Sequence, residues 1–144
     1  MAAPVIVVGL DGSPSSWDAY CWALGQAARS RGRLVAVFVT PAVNPVAVAS
    51  LAGQIDYGTL QEAEDEVART LRAGAEQRAD DLGVPVAFVQ QLGGVSRVLA
   101  GQARAVRADL LVVGRSTKIR HRLAGALGRR LALRHDTPIV VIVP

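Results

Sequence analysis

The sequence predicts an α/β domain: a single doubly wound sheet of five parallel strands, with helices on both faces. Three observations carry that expectation. Short apolar runs alternate with segments of helical periodicity along the whole chain, in the order βαβαβαβαβ. The runs are continuously apolar rather than alternating, as expected of strands buried on both faces. The 144 residues are 51% hydrophobic but only 4% aromatic, enough for one core built from Val, Leu, Ile and Ala.

The first strand is expected at residues 5–10. Ser13-Pro14 then supplies an N-cap and a proline at the first helical position. Trp17, Cys21, Leu24 and Ala28 recur at helical spacing and predict the buried stripe, with Cys21 a small core residue. Gly32 is expected to close this helix. A second strand follows at 34–39. Residues 41–58 carry Pro41, Pro45, Gly53 and Gly58 without periodicity, and read as either a lid or a mobile connection. A long helix is expected at 59–81, with Leu60, Ala63, Val67, Leu71 and Leu82 on its buried stripe and an acidic first turn suited to the helix dipole. Gly83 stops it. The third strand is expected at 84–90, the Gly93-Gly94 turn follows, and Val95, Val98, Leu99, Gln102 and Val106 mark the next helix. Residues 110–113 make the fourth strand, 123–133 contain a short helix, and 139–143 make the fifth strand.

The first and fourth strands both end in glycine, at Gly9 and Gly114, before polar residues and a helix. Reversing the winding direction once places the first strand between the second and fourth. The two glycine ends then flank one crevice, the usual ligand site of an open α/β sheet. The formal net charge is +4, and residues 109–144 hold seven of the sixteen basic side chains against two acids. This basic stretch (Arg115, Lys118, Arg120, Arg122, Arg129, Arg130, Arg134) is read as focused on the crevice, implying an anionic ligand. No apolar run is long enough for a membrane span, the start lacks the pattern of a signal peptide, and Cys21 is the sole cysteine. A cytoplasmic protein of one domain, residues 1–144, is the expectation.

Several segments together resemble the universal stress protein family over essentially the whole chain. They are Val-Val-Gly-Leu-Asp-Gly-Ser at 7–13, Leu-Val-Ala-Val-Phe-Val at 34–39, Gly-Gly at 93–94, Ala-Asp-Leu-Leu-Val-Val-Gly at 108–114, His-Arg-Leu-Ala-Gly at 121–125 and Thr-Pro-Ile-Val-Val at 137–141. The resemblance implies strand order 3-2-1-4-5, a homodimer paired through the final strand, and, in the nucleotide-binding branch, ATP with or without Mg2+ in the crevice. Carried to this chain, it implies that Gly9 permits close approach of the ligand and that Asp11 accepts a ribose or water hydrogen bond. Val39 would offer backbone groups and an apolar wall to adenine, and Gly114 would open the phosphate loop. The implied role is a stress-response regulatory domain.

That loop departs from the family's pattern of G-x-x-G, nine residues, then G-S or G-T. Thr117 stands in the second glycine's place, and the gapless count lands on Leu127. Gly125-Ala126 makes the loop two residues short and Gly128-Arg129 makes it one residue long; the first leaves room for a full short helix and is preferred. Either loses the hydroxyl expected to meet a phosphate, a net contribution of about 0.5–1.5 kcal/mol. Arg115, Lys118 or Arg122 could supply charge instead.

Other function classes fit less well. Residues 114–118 lack the glycine directly before the lysine of a Walker loop, and no nucleophile elbow occurs, so no catalytic residue is nominated. A receiver domain would need an acid where Gln90-Gln91 stand. His121 and His135 have no neighbours at metal-ligand spacing. The basic stretch has no interleaved aromatics, which disfavours nucleic acid. The remaining alternative is a dimeric adaptor of the same fold that binds no nucleotide.

Overall fold

A computed structural model describes residues 2–41, 57–115 and 126–144. Most of the expected 41–58 connection lies outside these residues. Strands β1 (Val5–Gly9), β2 (Arg33–Thr40), β3 (Val86–Leu92), β4 (Leu110–Gly114) and β5 (Ile139–Val143) alternate with helices α1 (Pro14–Ser30), α2 (Tyr57–Leu82), α3 (Val95–Ala105) and α4 (Ala126–Ala132). All strand pairs are parallel and the order is β3-β2-β1-β4-β5. The doubly wound sheet and its strand order are therefore as expected.

Alternation along the strands sorts the core into two layers. Ile6, Val8, Leu34, Ala36, Phe38 and Val112 pack with α1 and α2 on one face. Val5, Val7, Val35, Val37, Leu111 and Val113 pack with α3 and α4 on the other. β1 lies in the middle and is buried on both faces, which is why its sequence is apolar at every position.

The expected helix stripes are rotated. Leu24 is buried and Trp17 packs against the core as expected, but Cys21 and Ala28 are exposed, and α1 buries Ser16, Ala19, Tyr20, Ala23 and Ala27 in their place. In α2, Ala63, Val67 and Leu82 are exposed while Ala68, Leu71, Ala75 and Ala79 are buried. The cause is close packing between the two helices. The Tyr20 hydroxyl donates to the Ala75 carbonyl at 2.5 Å, Trp17 stands edge-on to Tyr20, and Arg78 stacks over the Trp17 ring at 4.1 Å. Only small side chains fit beneath this clasp, so alanines take the contact positions. An alanine carries little sign of which way it faces, and reading the stripe from the larger residues misplaces it.

Smaller corrections have equally local causes. α1 closes on Arg31 in the left-handed region (φ 54°), and the Gly32 N–H donates to the Ala27 carbonyl at 2.8 Å. α2 starts at Tyr57, so Glu62, Glu64, Asp65 and Glu66 lie beyond its first turn, which holds no acid. β3 starts at Val86 because Pro85 has no N–H for the ladder, and it runs on to Leu92 opposite Thr40.

Burial pushes the Tyr20 hydroxyl up to about 12. A raised pKa in the fold means that Tyr20 stabilises fully below the unfolded value near 10 and loses that contribution, on the order of 2–3 kcal/mol, as pH rises from about 10 to about 12. Urea unfolding of wild type against Tyr20→Phe should show this slope in wild type only, with the variant less stable at pH 8 because the Ala75 carbonyl loses its donor. Native protein should also titrate its single thiol, Cys21, with a colorimetric disulfide reagent and without denaturant.

Candidate functional site

β1 and β4 are neighbours, so their glycine ends lie side by side. The last β1–β2 pair is Gly9 with Val37, after which the Leu10 N–H donates to the Val37 carbonyl at 2.9 Å and the chain leaves the sheet. β2 continues for three residues. In a parallel ladder both backbone groups of one residue face the same neighbour. Val39 therefore turns its N–H and C=O to the side that β1 has vacated.

The space beyond the strand ends is a cleft of about 220 Å³. Its walls are Leu10, Val37, Val39, Val95, Leu99, Val113 and Leu127, with Gly9 and Gly114 at the strand ends. Asp11, Ser13, Ser15 and Ser16 provide the polar side, and Asp11 is the one ionisable residue among the described lining. The volume exceeds the ~150 Å³ that admits benzene in an apolar cavity. A single heterocycle fits, and anything attached to it must extend outward.

The polar side is built by helix capping. Ser13 is the N-cap of α1, and its Oγ accepts from the Ser16 N–H at 3.2 Å. The Ser16 hydroxyl donates to the Ser13 carbonyl at 2.9 Å and accepts from the Asp11 N–H at 3.2 Å. The Asp11 Oδ1 accepts from the Ser13 N–H at 2.8 Å, so the acid holds the turn as well as lining the cleft.

Gly114 has a firm structural cause. The first turn of α1 rests on it, and a Cβ there would overlap the Ser15 carbonyl. Gly9 is less constrained, since a Cβ would meet the flexible end of Leu99 at 3.3 Å.

The remaining expected residues divide. Leu127 is half-buried and forms a wall of the cleft without filling it. Ala126 opens α4. Gly128 sits inside α4 against Ile142, so the Gly128-Arg129 placement falls within the helix. Lys118 and Gly125 lie outside the described residues, as do Arg120 and Arg122. Arg115 is exposed and absent from the cleft wall; its backbone N–H donates to the Val143 carbonyl at 2.8 Å.

Arg134 is not a crevice cation. It clasps Asp136 at 2.9 and 3.1 Å just before β5, at the opposite end of the sheet, where Arg104 also reaches Asp136 at 3.5 Å. The hydrogen bond to Arg134 holds the Asp136 carboxyl below its usual range. Val95 and Leu99 are cleft residues that sequence reasoning misses. A signal for them exists: a helix that directly follows β3 begins at the crevice end, and its i, i+4 apolar pair borders the opening.

Residues 4–143 match the universal stress protein family. The chain belongs to that family. No curated protein matches it. Among solved structures, a universal stress protein family member from Burkholderia pseudomallei is 29% identical, covering 97% of this chain and 95% of its own, with a TM-score of 0.74. A universal stress protein solved in complex with cAMP is 27% identical, with 100% and 99% coverage and a TM-score of 0.74. One from Archaeoglobus fulgidus in complex with dAMP shares the fold at 16% identity, with 99% and 98% coverage and a TM-score of 0.66.

Gly114→Ala is expected to destabilise the protein by about 1–3 kcal/mol, because α1 must shift off β4. Gly9→Ala should cost less. Chemical denaturation of the two variants side by side checks the order.

Proposed function

We propose that this universal stress protein binds an adenine nucleotide in the cleft between β1 and β4, with ATP the first candidate, and acts as a stress-response regulatory domain. The carrying observation is the pair of Val39 backbone groups facing the space beyond β1. A donor and an acceptor on one residue match the N1 acceptor and 6-amino donor of adenine. They oppose guanine, which presents a donor and an acceptor in the reverse places. The apolar walls suit a purine ring, and the structurally similar protein in complex with cAMP at 27% identity supports an adenine ligand.

Asp11 at the cleft edge would take a ribose hydroxyl. The phosphates would extend toward the loop that begins at Arg115, with or without Mg2+. There the charges of Lys118 and Arg115 would serve in place of the glycine and hydroxyl that Thr117 and Ala126 do not provide. No dedicated catalysis is part of this reading. The described lining offers Asp11 but no second ionisable group for acid–base work. We infer cytoplasmic residence; no described helix is long and apolar enough to cross a membrane.

A homodimer through β5 belongs to the same reading. β5 is the sheet edge, and its Ile139 and Ile142 are 69% and 45% exposed. The second reading, a dimeric adaptor without nucleotide, draws on Gly114 and Asp11, both of which have structural roles that need no ligand.

Thermal-shift titration separates the two. Binding should raise the melting temperature with ATP concentration, by about 2.7 kcal/mol of stabilisation at a hundredfold excess over Kd. GTP should give a smaller shift, and Asp11→Asn, which keeps an acceptor for Ser13, should weaken the ATP response. No shift with millimolar ATP, AMP or cAMP would leave the adaptor.

A further inference from the structure

Among the described residues, two that are not glycine take the left-handed backbone conformation, and both are arginines. Arg31 (φ 54°) closes α1 just before β2, and Arg107 (φ 52°) follows α3 just before β4. Glycine is the usual occupant of such a position, because a Cβ there crowds the following carbonyl. Fold stability alone would favour glycine at both.

The two loops are neighbours. β1 lies between β2 and β4, with Val5 paired to Arg33 and the Asp109 N–H donating to the Val5 carbonyl at 2.8 Å. Arg31, Arg33 and Arg107 therefore surround the start of β1, at the end of the sheet opposite the cleft. Arg104, in the last turn of α3, and Arg134, just after α4, stand at the same end and share Asp136. From β2 to β5 this surface covers three strand spacings, about 14 Å.

Little negative charge opposes these guanidiniums. Asp109 and Asp136 are the only acids in the sequence after Asp81. Asp109 accepts from the Val5 N–H at 2.9 Å, and Asp136 is held by Arg134 and Arg104. Asp80 and Asp81 lie at the end of α2, which packs on β3 at the far flank. Arg31, Arg33 and Arg107 are exposed and make no ion pair among the described residues. Like charges gathered on a backbone that disfavours two of them point to an anionic partner that pairs them.

We propose that this arginine-lined end of the sheet binds the phosphate backbone of a nucleic-acid duplex. Guanidinium forks match phosphate oxygens bidentately. A surface about 14 Å across meets roughly three or four phosphates, spaced about 3.4 Å apart along the axis of each strand. No Phe, Tyr or Trp stands in the segments that carry these arginines, 30–34, 104–109 and 133–138. Single strands are held by stacking on such rings, whereas a duplex gripped by its backbone needs none. Pro4 and Asp109 lie between Arg33 and Arg107, so no large apolar side chain is placed there to enter a lipid surface.

Fluorescence anisotropy with short labelled DNA and RNA duplexes, without nucleotide, tests this independently of the cleft. Both duplexes should bind at low salt without sequence preference, and log affinity should fall against log salt with a slope of about −3. Arg33→Ala, Arg31→Gly and Arg107→Gly should each weaken binding at least about threefold and reduce that slope by about 1. The two glycine variants should melt no lower than wild type, which separates a lost contact from a lost fold. Arg69→Ala removes the same charge from α2 and should leave the affinity unchanged. An affinity that the three variants do not move, or that Arg69→Ala lowers equally, overturns the site. Tighter binding to a single strand, to polyglutamate or to anionic lipid vesicles than to either duplex overturns the occupant. Failure of both duplexes to bind at low salt overturns the proposal outright.

Discussion

The contact between the first turn of α1 and Gly114 organises the functional end of this molecule. β4 ends where Ser15 begins, and no side chain can stand between them. That contact fixes the tilt of α1 over the sheet and the position of the turn holding Asp11 and Ser13. It also sets the line along which β4 leaves the sheet after Gly114. The cleft is what remains once these backbones are fixed: β1 stops at Gly9, β2 runs on, and α3 and α4 close the far side.

Serine hydroxyls and one carboxylate give this rim its shape. Asp11, Ser13 and Ser16 satisfy each other and the Ser16 N–H in the first turn of α1, so the polar side is preorganised before any ligand arrives. Preorganisation lowers the ordering cost of binding. It equally serves a protein that needs only a stable helix start. The same residues are compatible with a nucleotide site and with an adaptor that binds none, and the distinction rests on the strand ends rather than on the turn.

At the other end of the sheet, charge serves structure. Arg134 and Arg104 converge on Asp136 beside the start of β5. Arg134 is thereby removed from the crevice that its place in the basic stretch suggests. A run of basic residues in sequence crosses a helix from one end of the sheet to the other, so proximity along the chain says little about which pole each cation serves.

The amino-acid order alone determined the alternation of strands and helices, the strand ends at Gly9 and Gly114, the Ser13-Pro14 cap and the crevice that joins them. These follow from local physics: apolar runs, glycine, proline and capping hydroxyls act within a few residues. Tertiary packing decided which helix faces are buried, turning Cys21 and Val67 outward and alanines inward, because α1 and α2 meet through Tyr20 and Ala75. It also decided that Val95 and Leu99 join the cleft and that Arg134 leaves it. Those outcomes depend on which surfaces come together across the sheet, a constraint that no local spacing encodes.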